Sequence, residues 1–140
     1  MSVKIINSKK IKPKKILGGP IKPLISNNDV SMNQEFALGV FRPKQGLYFH
    51  THPNSEEIYY VIKGRGTVFA GKERNQIKIG EGDVLYIPAN TPHGVTNTGR
   101  KTLVIAFFVS PGKERAGYEI GKDSHVLEEK ILYPNNKGLS

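Results

Sequence analysis

His50-Thr51-His52 places two imidazoles two residues apart. On a strand, side chains alternate between faces, so both rings project from the same side. Neutral imidazoles suit divalent transition metals, and two side by side form a chelating edge. Glu57 follows five residues later and opens the apolar run Ile58-Tyr59-Tyr60-Val61-Ile62. A carboxylate at the mouth of such a run is costly to bury without a partner. A divalent cation shared with the imidazoles would be that partner. The adjacent Glu56 has the opposite parity and is assigned to the surface or rim.

These side chains need strands to hold them, and the chain is rich in strand signals. Its 140 residues are one domain's worth, with 37% hydrophobic residues, 15 glycines and 9 prolines. Glycine and proline break the sequence about every ten residues. Between the breaks lie runs rich in β-branched and aromatic residues, at 35–41, 57–62, 67–70, 76–79, 84–87 and 102–109. Short strands at this spacing predict an all-β sandwich or barrel. No convincing helical stripe precedes residue 113, and 113–132 reads as either a short helix or late strands. Runs 58–62, 84–87 and 103–109 are apolar at both parities. Such strands are covered on both faces, which predicts a barrel interior on one side and a second layer or partner subunit on the other. A homodimer is the expectation.

At this point the sequence resembles the cupins. Their first motif reads H-x-H, three or four residues, E, six residues, G. Here it is His50-Thr51-His52, four residues, Glu57, six residues, Gly64. The second motif reads G, five residues, P-x-G, two residues, H, three residues, N. Here it is Gly82, Pro88-Ala89-Asn90, His93 and Asn97 at the same spacings. The resemblance spans roughly residues 33 to 112. Two positions depart from the pattern. Only three residues separate Gly46 from His50 where the family has five, and Asn90 replaces the glycine after Pro88. Asparagine tolerates the left-handed conformation better than most residues, so that turn can survive.

The resemblance implies a cupin jelly-roll of antiparallel strands with a metal held by His50, His52, Glu57 and His93. Three neutral nitrogens and one carboxylate leave one or two positions open on a six-coordinate ion. Iron, manganese, nickel, cobalt, copper and zinc all suit that set. His125 belongs to no motif and is expected to be exposed. Asn97 is expected to orient a turn by hydrogen bonding. Residues sharing the ligands' parity should face a pocket with apolar walls and a polar metal end. Tyr48, Tyr59 and Val61 qualify, as do Phe36, Leu38 and Val40. On the last strand either Ile105 and Phe107 or Val104 and Phe108 face inward. Tyr48 and Tyr59 are the catalytic candidates, as proton donors or partners for a substrate oxygen. Arg42, beside Pro43 and Lys44, reads as a loop residue.

Charge divides the chain further. The net charge is +9, and seven lysines are the only charged side chains before Asp29. Residues 1–28 thus read as a basic arm, 29–112 as the cupin core, and 113–140 as an extension packing on the barrel or the dimer partner. The arm has no Phe, Tyr, Trp or Arg, the residues that stack bases or clamp phosphates. Nucleic-acid binding is therefore disfavoured against a solvated arm, or a strand docked on a neighbouring subunit. The chain has no cysteine, which excludes disulfides, thiol catalysis and cysteine-ligated metals. The longest apolar run, residues 103–109, is far short of the ~20 residues of a spanning helix. No apolar segment follows the basic N-terminus as in a secretory signal, and a cytoplasmic protein is expected.

Three functions fit these features. The first is a metal-dependent enzyme on a small molecule; the resemblance implies oxygenases, decarboxylases, isomerases and lyases. The second is a small-ligand-binding or sensor cupin without turnover. The third is a structural protein with an idle metal site, against which the intact ligand set argues.

Overall fold

The computed structural model describes residues 3–26, 33–111 and 125–134. Eleven strands lie in these segments: β1 (Lys14–Ile16), β2 (Gly19–Ile25), β3 (Glu35–Phe41), β4 (Gly46–Thr51), β5 (Glu56–Lys63), β6 (Arg65–Ala70), β7 (Asn75–Gly80), β8 (Val84–Ile87), β9 (His93–Thr96), β10 (Leu103–Ser110) and β11 (His125–Glu128). They form two antiparallel sheets, ordered β1-β2-β3-β10-β5-β8 and β11-β4-β9-β6-β7. A single 3-10 turn, Ser8–Lys10, precedes them, and the described residues contain no α-helix. None of the described helices is long and apolar enough to cross a membrane.

The alternation predicted for β5 is sharp: Glu57, Tyr59 and Val61 are buried while Ile58, Tyr60 and Ile62 are exposed. Across β10 the inward set is Ile105 and Phe107, with Phe108 on the outside. Phe41, Tyr59, Leu103 and Ile105 from one sheet meet Leu47, Val68 and Val95 from the other in one core. Fully burying each such side chain contributes roughly 1.5–3 kcal/mol. A smaller cluster, Phe49, Phe69 and Leu132, lies on the outer side of the second sheet. There Thr96 Oγ1 donates to the Leu132 carbonyl at 2.5 Å, and β11 pairs with β4. Residues 125–134 therefore pack on the barrel as a late strand and its continuation. The expectation for 113–124 lies outside the described residues.

Two expectations change. The boundary at residue 29 does not coincide with the sheet: β1 and β2 form a hairpin, and β2 pairs with β3. Pro20, Lys22 and Pro23 hide this strand from a propensity reading, because proline cannot donate to a ladder and is confined to favourable strand positions. On β3 the core-facing parity is Ala37, Gly39 and Phe41; of the expected Phe36, Leu38 and Val40, Phe36 lines the cavity and the other two do not. Phe41 is fully buried, whereas Phe36 stacks on Phe108 at 4.7 Å. The outer face of β5, β8 and β10, expected under a second layer or a partner subunit, has no cover among the described residues of this one chain. Ile58, Tyr60, Ile62, Val84, Tyr86 and Phe108 are each at least 40% exposed.

Candidate metal centre

His50 is the penultimate residue of β4, His52 follows that strand, and His93 opens β9. His50 and His93 are register partners across the β4–β9 pair. Glu57 comes from β5 in the opposite sheet, so the cluster bridges the sandwich. All four side chains are buried, and one donor atom from each lies within 4.8 Å of the others. The ring centroids of His50 and His52 are 4.9 Å apart, and those of His50 and His93 are 4.3 Å apart.

Hydrogen bonds fix which nitrogens face the cluster. His50 Nδ1 lies 2.6 Å from the Tyr48 carbonyl, and His93 Nδ1 lies 2.8 Å from the Thr91 carbonyl. A carbonyl only accepts, so each Nδ1 carries the proton and donates it. In a neutral ring Nε2 is then a lone-pair donor. Yet His93 Nε2 stands 3.0 Å from Glu57 Oε1, and His52 Nε2 stands 3.3 Å from the same oxygen. The His93 lone pair at this separation from a carboxylate needs a cation between them, either a proton or a metal ion, whereas a His52 Nε2–H can donate to the oxygen directly. Burial, then the charges of His93 and His52, push the His50 pKa from 6.5 down to about 3. Burial alone would raise Glu57, but the hydrogen bonds and charges of His52 and His93 together hold its carboxyl well below the usual range. A neutral His50 beside an ionised Glu57 is a metal-ready donor pair, and the donor chemistry fits a divalent transition ion.

The two tyrosines diverge. A bulge between Leu47 and His50 shifts the β4 register, so the parity that should turn Tyr48 inward is lost. Leu47 and His50 both line the cavity instead. The Tyr48 amide donates to the Leu17 carbonyl at 2.8 Å. Its ring lies over Gly18 (φ 82°), where a Cβ would overlap it. Tyr48 is therefore a packing residue of the β1–β2 hairpin. Tyr59 does face the interior, edge-on to Phe107 at 4.7 Å and 6.0 Å from the His93 ring. Its buried hydroxyl has no hydrogen-bond partner among the described residues. Burial, and next the Glu57 charge, raise its pKa well above 10, so it remains a protonated donor.

Above His50, His52 and Glu57 opens a cavity of about 120 Å³. Ile16, Leu17, Ile21, Pro23 and Ile25 form one wall, all from the segment that reads as a basic arm in the sequence. Their alternation with lysines and prolines was the available signal, since Ile21, Pro23 and Ile25 share a parity. Glu35 also lines the cavity and was not among the sequence candidates. Both Glu35 and Glu57 are register partners of Val109, from opposite sides of β10. Asn97 is buried away from the cavity. Its Nδ2 donates to the Phe41 and Lys101 carbonyls, and its Oδ1 accepts from the Gly99 amide. His125 is exposed on β11 and Arg42 is an exposed loop residue.

Comparison with known proteins places this architecture. Residues 37–110 match the family model described as a Cupin domain. An uncharacterised protein of Methanocaldococcus jannaschii is 35% identical over 109 residues, covering 75% of this chain and 86% of its own length. The polyketide synthase CurC of Streptomyces cyaneus is 30% identical over 137 residues, covering 96% and 88%. Among solved structures, the polyketide cyclase RemF of Streptomyces resistomycificus superposes with a TM-score of 0.73. That match is 16% identical and covers 91% of this chain and 87% of RemF. With the family model spanning more than half its length, and with both motifs folded onto one buried cluster, the chain belongs to the cupin family.

Proposed function

We propose that the protein is a metal-dependent cupin enzyme acting on a small molecule, with one divalent transition metal per chain held by His50, His52, Glu57 and His93. The observation that carries this reading is the buried quartet of donor atoms at one end of a largely apolar cavity. A bound ion would supply Lewis acidity or a site for activating an oxygen ligand. The chain's own residues do the rest. Thr91 and Tyr48 carbonyls orient the His93 and His50 rings. The walls exclude water from a substrate held above the cluster. Tyr59, whose ring lies 6.0 Å from that of His93 and whose buried, protonated hydroxyl has no hydrogen-bond partner among the described residues, is the candidate proton donor. Two relatives carry names from polyketide chemistry, which supports a small organic substrate without naming it.

A homodimer accompanies this reading. The exposed apolar face of β5, β8 and β10 suits a second copy, because a two-fold axis can set such a face against itself. The enzyme reading is tested by incubating the metal-loaded protein with a panel of small oxygenated molecules and following products by mass spectrometry. Turnover that disappears in the His50→Ala/His52→Ala double variant is the expected result. Saturable binding with no turnover across the panel would favour the non-catalytic binding cupin instead.

A further inference from the structure

The end of the barrel away from the metal centre gathers positive charge. Near its start β5 carries Glu57 at the cluster, and Lys63 closes the strand on the order of 20 Å away. Three connections meet at that far end: the β5–β6 turn at Gly64, the β7–β8 turn at Glu81 and the β9–β10 loop. A Cβ on Gly64 (φ 83°) would overlap the Thr102 carbonyl oxygen, and one on Gly99 would sit 3.1 Å from Arg65 Cγ. Arg65 is the register partner of Gly80. Gly64, Arg65, Gly80, Glu81, Arg100 and Lys101 line the cleft between these turns, of about 510 Å³ against about 120 Å³ for the metal cavity. Ser110, Asn33 and His125 belong to the other end of the barrel. Ser110 is paired with Glu56 and its Oγ donates to the Asn33 carbonyl, while His125 is paired with Thr51.

After the first 28 residues the chain is nearly balanced in charge, yet this cleft sets three cations against one carboxylate. Among the described residues, the side chains of Arg65, Arg100 and Lys101 have no ion pair or hydrogen bond. The nearby Asp83 is engaged elsewhere, its Oδ2 accepting from the Gly80 amide at 2.7 Å. Like charges held together repel, and an anion seated among them removes that repulsion. A guanidinium fork takes two oxygens of one anionic group, so two forks call for two linked groups. A phosphate brings three acceptor oxygens and up to two charges, where a carboxylate brings two oxygens and one charge. Linked phosphates therefore engage both forks and the Lys101 ammonium at once. No aliphatic or aromatic residue lines the cleft, so nothing there stacks on a base.

The geometry points to a second binding site, separate from the metal centre, in which Arg65, Arg100 and Lys101 hold an oligophosphate group of two or more linked phosphates, free or as the tail of a nucleotide whose base goes unread. Glu81 is the opposing charge in this site and weakens it.

Calorimetric titration of the full chain in magnesium-free buffer at physiological ionic strength tests this. Tripolyphosphate and adenosine triphosphate are expected to bind alike, with orthophosphate and citrate at least ~10-fold weaker. Arg65→Gln/Arg100→Gln should lose at least ~10-fold in affinity for tripolyphosphate, and Glu81→Gln should gain about 3-fold. Lys101→Gln, a single exposed change expected to lose about 3-fold, keeps the test open if the double variant misfolds. His50→Ala/His52→Ala should bind tripolyphosphate as the wild type does, which separates this site from the metal centre. Amide NMR shifts on binding are expected at Gly64, Gly80 and Gly99. Citrate or orthophosphate binding as tightly as tripolyphosphate would overturn the inference, as would full affinity in the arginine variant. Shifts confined to the N-terminal lysines, or affinity lost with His50 and His52, would place the anion elsewhere and overturn it too. Adenosine triphosphate far tighter than tripolyphosphate would contradict the unread base. Single-stranded oligothymidylate binding more tightly than tripolyphosphate through the same arginines would replace the oligophosphate site with a nucleic-acid surface.

Discussion

His93 shows how much chemistry one side chain can disclose. Its Nδ1 is committed to the Thr91 carbonyl, and its Nε2 faces a carboxylate oxygen that His52 also approaches. Glu57→Gln removes the anionic donor while keeping the shape. It is expected to lower metal affinity by roughly 10–100-fold or more, measured by competition with a chelator. The metal-free protein should be acid-sensitive. His50 is held neutral in the fold, with its pKa down at about 3, but it protonates near 6.5 once unfolded. The unfolded state therefore binds more protons between those values, and stability falls as pH drops from 6.5 toward 3. Glu57, depressed in the fold, adds to this below its ordinary 4.5. Between pH 7 and pH 5 His50 accounts for a loss on the order of 2 kcal/mol. A thermal melt of the metal-free protein at the two pH values measures it. An unchanged or higher Tm at pH 5 would contradict the assignment.

At the scale of elements, glycines and turns decide whether the ligands meet. Gly46 opens β4 opposite Thr96, and a Cβ there would overlap the Val95 carbonyl oxygen. Gly46→Ala should cost about 1–3 kcal/mol in chemical denaturation. Asn90, the departure from the family glycine, adopts φ 61°, and its amide donates to the His52 carbonyl at 2.9 Å. Asn90→Gly should be nearly neutral, whereas Asn90→Val should cost roughly 1–2 kcal/mol. The left-handed turn was legible from Asn90 itself. So were β3 and β8, whose limits match the apolar runs at 35–41 and 84–87. The buried cluster of His50, His52, Glu57 and His93 was legible because the two motifs fix the spacing of its residues. The Tyr48 placement was not, because a bulge changes parity without any mark in the composition. The Ile21 to Ile25 wall was obscured for a different reason. Prolines and lysines occupy a strand that pairs through its remaining amides, and tertiary packing overrides local propensity there.

For the whole molecule, the two faces of the larger sheet have opposite fates. The inner face closes over the core, while the outer face of β5, β8 and β10 exposes Tyr60, Val84, Tyr86 and their apolar neighbours. Large exposed apolar patches mark association surfaces. Tyr60→Glu combined with Tyr86→Glu should leave the fold intact and convert a dimer into a monomer, measured by light scattering. A wild-type protein that is monomeric at high concentration would contradict the dimer. The basic character belongs to a different part of the surface. Seven lysines lie in the first 28 residues, and Val3 and Ile5 beside Lys4 are almost fully exposed. The same N-terminal region thus supplies a cationic exterior and, from β1 and β2, the apolar wall of the cavity.

The most direct test of the metal centre is elemental analysis of protein purified without a metal-affinity column, comparing wild type with two variants. Wild type is expected to carry about one equivalent of a divalent transition metal per chain. His50→Ala/His52→Ala should lose it and remain folded by circular dichroism, and His125→Ala should retain it. A double variant that keeps stoichiometric metal, or a wild type that neither carries nor takes up any, would contradict the account.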